Sequence, residues 1–213
     1  MPGGTWEGRP NPVTAIRNRR VVRTPREVLR AEEVGPVLAE VPDRPNARTQ
    51  ARGQISRCLD PRGVCACACF TAMRKGEIGG LRKVDVDLVE GTIRVGRSWD
   101  APRTKDGKCA TIPIAQGLRP YLERALREAP GDLVFPDEQG GMMPRDVPLE
   151  EILQRAMGRA GVVDGYEARC RRHHCGFRER RATKEAGACP RCGYTLYLKP
   201  IPRKVLFHGL RHT

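Results

Sequence analysis

Cys170 and Cys175 flank Arg-Arg-His-His, and Cys189-Pro-Arg-Cys192-Gly forms a CxxC knuckle. A pair of cysteines on a tight turn aims two thiolates at one point, and Zn²⁺ accepts four in a tetrahedron. Cys170, Cys175, Cys189 and Cys192 are therefore the candidate ligands of one structural zinc ion. The first pair is spaced more widely than the second, which leaves open that His173 or His174 replaces a thiolate. So short a segment buries too little apolar surface to fold unaided, so the metal's expected role is fold stability, with no cofactor expected for catalysis. Arg171, Arg172, Arg178, Arg180 and Arg181 surround these cysteines, and DNA phosphates or plain solvent suit them equally. A third group, Cys65, Cys67 and Cys69, alternates with alanine. That spacing is too tight for a tetrahedral site, and small buried side chains are the expected reading.

The elements that must position these residues follow from periodicity. A helix is predicted from about Ala31 to Val41, with Val34, Val37, Leu38 and Val41 on one face and Glu32 and Glu33 at its positive end. Residues 43–70 show no helical repeat and read as loop or poorly ordered chain. Glu77 to Lys83 reads as a short helix, and Gly91 to Arg97 alternates as a strand whose partner is Ala110 to Ile114, with Asp106-Gly107 as the turn. Leu118, Tyr121, Leu122, Ala125, Leu126 and Ala129 mark a helical face stopped at Pro130-Gly131. A further helix is predicted from Asp146, its expected N-cap, burying Leu149, Ile152, Leu153, Ala156, Met157 and Ala160. The expected fold class is mainly α with a small antiparallel β-sheet (α+β), preceded by a linker over residues 1–29.

Lys and Arg number 39 against 25 Asp and Glu, a formal net charge of +14 over 213 residues. Cations that neutralise phosphates release condensed counterions, so duplex DNA is the first candidate partner. No basic amphipathic helix supports a membrane surface, and no apolar run is long enough to span a bilayer. Nine cysteines without a recognisable secretion signal point to a reducing, cytoplasmic compartment, where paired cysteines suggest metal before disulfide.

Three motifs then carry a family resemblance. Thr71-Ala72-Met73-Arg74-Lys75-Gly76-Glu77-Ile78, continuing to Asp87-Leu88, resembles the first catalytic box of tyrosine recombinases of the phage-integrase type. Thr104-Lys105-Asp106-Gly107-Lys108 with Ile112-Pro113-Ile114 is similar to the hairpin that holds that family's catalytic lysine. Phe207-His208-Gly209-Leu210-Arg211-His212-Thr213 resembles its H-x-L-R-H-T box. The resemblance runs from about residue 30 to the end, with a zinc ribbon inserted over residues 166–198.

The resemblance implies DNA strand breakage and rejoining, with duplex DNA and other recombinase protomers as partners. Arg74 and Arg211 would clamp the non-bridging phosphate oxygens, where charge gathers in the transition state. His208 would act as general base or orienting donor, and Lys105 as general acid to the leaving 5′ oxygen, with Lys108 a further phosphate contact. Ala72 departs from the family's usual glycine, in a turn that favours φ > 0. The helix that normally packs before this box is not apparent, and the second His/Trp box and the nucleophilic tyrosine that follow Arg211 in the family are not present. The expectation is a truncated catalytic domain, inactive alone; the alternatives are a non-catalytic, zinc-containing DNA-binding module or a degraded remnant.

Overall fold

The structure is a computed structural model that describes residues 27–44, 60–99, 101–102, 107 and 109–213. The sequence-predicted linker lies almost wholly outside the described residues, as do Asp106 of the expected turn and residues 45–59 of the expected loop. Helix α1, Ala31–Glu40, buries Val34, Val37 and Leu38 as its periodicity requires. Its N-terminus is held by Glu33, whose carboxylate accepts the Arg30 N–H at 2.8 Å and the Arg203 guanidinium at 2.5 and 3.0 Å.

Residues 61–71 overturn the expectation of a loop. Helix α2, Pro61–Thr71, is packed into the core, with Val64, Cys65, Ala66, Cys67 and Ala68 all at 0 % exposure. A helix covered on every side needs no polar face, so its sequence carries no amphipathic period to detect. Its start is well specified. Asp60 accepts the Gly63 N–H at 2.9 Å, and Pro61 opens the first turn, where a missing N–H costs nothing. Arg124 Nη2 donates to both Asp60 oxygens at 2.8 and 2.7 Å, tying this cap to the helix that carries Arg124. The cysteines of α2 are packing groups, as expected: burial drives the Cys65 and Cys67 thiols far above their ordinary range and the Cys69 thiol to about 12.

The short helix α3, Lys75–Gly79, begins two residues earlier than predicted and gives way to a 3-10 turn at Lys83–Asp85. Strands β1 (Val86–Asp87), β2 (Thr92–Val95) and β3 (Ala110–Pro113) form an antiparallel sheet in that order, with Ile93 opposite Ile112. Helix α4, Arg119–Glu128, packs through Leu122 and Ala125. Helix α5, Leu149–Ala160, buries Leu149, Ile152, Leu153, Ala156 and Met157. Asp146 is not its cap: Pro148 holds that position, and Asp146 belongs to the preceding turn, closed by the Val147 N–H on Pro144 O at 3.3 Å.

A second antiparallel sheet, ordered β5-β4-β6, follows directly: β4 is Val163–Cys170, β5 Arg178–Arg181 and β6 Leu196–Pro202. Gly161, at φ +80, ends α5 and turns the chain into β4. The sheet lies close against α5, since a Cβ on Gly158 would stand 3.1 Å from Pro200 Cγ. After β6, the 3-10 turn Phe207–His212 packs on α2. The expected class, helices with small antiparallel sheets, holds. Among the described residues no helix is long and apolar enough to cross a membrane.

Candidate phosphate-binding site and metal centre

The first and last sequence motifs meet where α2 ends. Thr71 Oγ1 donates to Cys67 O at 2.5 Å and accepts the Met73 N–H at 3.3 Å, so the chain leaves the helix through Ala72 in the left-handed region, φ 55° and ψ 18°. The turn therefore needs the conformation that glycine supplies most cheaply, and alanine adopts it at some cost in strain. Its consequence is chemical: the Ala72 carbonyl accepts the Arg211 Nε–H at 2.6 Å. One edge of the Arg211 guanidinium is thus spent on orientation, leaving its remaining N–H groups for a ligand.

Arg211 and His208 line a cavity of about 250 Å³ together with Met73, Lys75, Glu150 and Phe207. Arg74 does not line it directly. Its N–H donates to Glu77 Oε2 at 2.7 Å and its Nη1 to Glu77 Oε1 at 3.0 Å, while Glu77 itself is 7 % exposed. Glu77 thereby braces the N-terminus of α3. Lys75 and Glu150 were not singled out from sequence. Lys75 Nζ donates to Arg145 O at 2.7 Å and Val147 O at 3.1 Å, and desolvation pulls its pKa below the usual lysine range against the opposing charge of Asp146. Glu150 accepts the Phe207 N–H at 2.7 Å, fixing the start of the turn that carries His208.

Lys105 and Lys108 lie outside the described residues. The root of their hairpin is nonetheless anchored beside the first motif, by a tryptophan that sequence reasoning passed over. The Trp99 N–H donates to Gly76 O at 2.8 Å and its indole N–H to Met143 O at 3.3 Å. Added Cβ atoms on Gly76 and Gly79 would fall 2.7 and 2.9 Å from the indole, so glycines at both positions admit the ring. The signal was present as two glycines on one short helix.

The second centre is the cysteine quartet. The ligand atoms of Cys170, Cys175, Cys189 and Cys192 all lie within 4.8 Å of one another, with Cys170–Cys192 at 3.5 Å and Cys175–Cys189 at 3.6 Å. Four sulfurs at the ordinary Zn–S length sit about 3.8 Å apart in a tetrahedron, so the quartet is geometrically consistent with a structural zinc site. His173 and His174 meet edge to face with ring centroids 3.8 Å apart, both exposed, and neither joins the quartet. Each knuckle ends in a glycine with positive φ, Gly176 at 63° and Gly193 at 70°. Each also lends an arginine to the other: Arg172 donates to Cys192 O at 3.3 Å and Arg191 to Cys175 O at 3.4 Å. A hydrogen bond from the Tyr194 N–H pulls the Cys192 thiol below its ordinary value, in the direction a metal-binding thiolate requires. Only Ala168, Cys189 and Leu196 form a buried apolar cluster here, too few to hold a sheet without metal.

With this geometry in place, comparison with known proteins is decisive at one level. The phage integrase family model matches residues 43–184, well over half of the chain. The chain belongs to the phage integrase family. The matched span holds Arg74 and the first knuckle, whereas Cys189, Cys192, His208 and Arg211 lie beyond it. No curated protein matches the chain. Among solved structures it is similar to the Tn1549 transposon integrase, residues 82–397, in complex with circular intermediate DNA, at TM-score 0.52 and 14% identity over 90% of this chain and 52% of that one. It is also similar to a lambda integrase (75–356) dimer bound to a COC′ core site, at TM-score 0.51 and 16% identity over 94% of this chain and 54% of that one. A lambda integrase tetramer bound to a Holliday junction gives TM-score 0.51 and 16% identity over 94% and 44%. At such identities the likeness establishes a shared integrase fold. The chain spans about half the length of those structures.

Proposed function

We propose that this chain forms the phosphate-binding part of a DNA strand-exchange enzyme, working on duplex DNA together with other recombinase protomers. The observation that carries this reading is the Arg211–Ala72 hydrogen bond, which seats the last motif on the first beside the cavity lined by His208 and Arg211. Arg211 and Arg74 supply the forked donors for the non-bridging oxygens, with Arg74 held by Glu77 at the site's margin. His208 orients or accepts a proton from the attacking group, and Lys105 delivers one to the 5′ oxygen that leaves. Lys108 adds a contact to the backbone. Residues 30–213 form the catalytic unit, with 166–198 as the ribbon inserted in it, and the site works in the cytoplasm where the ribbon's thiols stay reduced.

Chemistry of this type needs a hydroxyl nucleophile. The four tyrosines of these 213 residues stand elsewhere: Tyr121 on α4, Tyr166 on β4, Tyr194 and Tyr197 in the ribbon, none of them lining the cavity. The 213 residues alone therefore hold a phosphate without attacking it. A nicked suicide substrate traps any covalent adduct for display on a denaturing gel. The expected result is no adduct from this polypeptide, and an adduct when a recombinase carrying its tyrosine is added, lost again when Arg211 of this chain is changed to Ala. An adduct that disappears on mutating Tyr121, Tyr166, Tyr194 or Tyr197 would overturn the assignment. Tyrosine supplied in trans with no dependence on Arg211 would favour a non-catalytic DNA-binding module.

A further inference from the structure

The register of the ribbon sheet sorts its side chains by face, with Glu179 and Arg181 of β5 falling on the same face as Ala168. Ala168, Leu196, Leu198 and Pro200 share the face turned toward the cysteine quartet and α5, where Ala168 and Leu196 are buried and Pro200 meets Gly158. Side chains alternate along a strand and match across a ladder, so the partners Glu167↔Arg180↔Lys199 and Arg169↔Arg178↔Tyr197 must share the opposite face. That face carries four cations, one tyrosine and one acid. Arg178, Arg180, Tyr197 and Lys199 are exposed.

We propose that this outward face of the ribbon is a second binding surface for the duplex DNA backbone, separate from the pocket at Arg211. The proposal rests on the DNA-processing reading for the identity of the polyanion, and its physical basis is charge placed on a rigid grid. Cations two residues apart on one strand stand about 7 Å apart, and those on neighbouring strands about 5 Å, so several phosphates can be met at once. Glu167 is the single internal counter-charge. It pairs with Arg169, and the hydrogen bond from Arg169, together with the charges of Arg178 and Lys199, holds its carboxyl below the usual range. Among the described residues no carboxylate forms an ion pair with Arg178, Arg180 or Lys199. The Arg171 guanidinium lies 3.5 Å from the centre of the Tyr197 ring, a flat cation presented at the end of the same face. On the inward face the two charged residues, Glu179 and Arg181, neutralise each other in an ion pair, whereas the outward face keeps a net excess of three cations.

The test is fluorescence anisotropy of the zinc-loaded full chain on a long mixed-sequence duplex across a salt series. Replacing Arg178, Arg180 and Lys199 by Ala should weaken binding about tenfold or more near physiological salt. It should also flatten the plot of log K against log salt by about 2 to 3, one phosphate contact per cation removed. Glu167→Gln should tighten binding and serves as the readout should the triple variant lose its zinc. R178K/R180K keeps the charge and should bind much as the parent does. Arg211→Ala is measured in parallel: no effect there beside a clear loss in the ribbon variant would remove the pocket reading and leave this one standing. A zinc-loaded triple variant with unchanged affinity and slope overturns the proposal, and so does a loss confined to anionic phosphatidylserine vesicles with duplex binding intact.

Discussion

The molecule holds two groups of closely spaced cysteines, and the fold uses them in opposite ways. On α2, Cys65 and Cys69 share one helix face at i, i+4 while Cys67 points to another side, so the three sulfurs do not converge on one point. Burial there pushes the thiols up and makes them small inert packing groups. In the ribbon, four cysteines on two turns converge within 4.8 Å and are only partly covered by neighbours, apart from Cys189. The core holds itself together by apolar burial around residues such as Phe135, Leu122 and Met157, whereas the ribbon has three buried residues and a metal site. Spacing alone does not make a ligand; the backbone that carries it does.

The largest expected effect follows from that contrast. Cys189→Ser with Cys192→Ser should abolish near-stoichiometric zinc, measured by elemental analysis of reduced protein. Structural zinc supplies on the order of 10 to 16 kcal/mol in small modules, so hydrogen exchange in β4 to β6 should become fast. Exchange in α2 and α5 should stay slow, and collapse of the whole molecule would break the comparison. Thiol labelling sharpens it: after chelation the ribbon cysteines should react readily and Cys65 and Cys67 only on global unfolding. Next in size, Asp60→Ala removes the α2 cap and leaves Arg124 with Asp43 as its remaining carboxylate, which should cost about 1 to 3 kcal/mol in a urea melt while leaving zinc content unchanged. Cys67→Ser puts a hydroxyl into a fully buried site and should cost about 1 to 3 kcal/mol, again with zinc retained. The smallest effect belongs to the knuckles: Gly193→Ala, at φ 70°, should cost about 1 kcal/mol or slightly more, read as weaker zinc affinity.

Legibility in the sequence tracked exposure. α1, α4 and α5 each have one wet and one dry side, so Val34, Leu122 and Ile152 fell on periodic faces that could be read directly. β2 and β3 were equally plain from alternation. α2 was misread because Val64 to Ala68 have no wet side, and the flanking Arg62 resembles loop chemistry until its bonds to Val41 O and Ala39 O are seen. The expected cap at Asp146 failed because Pro148 starts the helix later and Asp146 faces Lys75 instead. In the site, the cysteine quartet and the left-handed Ala72 were legible from residue type and spacing. The brace at Trp99 and the hold of Glu150 on Phe207 were not, since both are contacts between distant segments that no local pattern encodes.

The bond from Arg211 to Ala72 spans 139 residues of chain, and that separation has a meaning in time. A ribosome adding about 5 to 20 residues per second needs about 7 to 28 s to travel from one partner to the other. During that interval α2 to α5 emerge with their apolar faces ready to collapse, while the cavity at Ala72 still lacks its guanidinium wall. A nascent chain can acquire its helices, and even its metal, before it acquires a grip on phosphate, and the last core side chains, Phe207 and Leu210, arrive together with that grip.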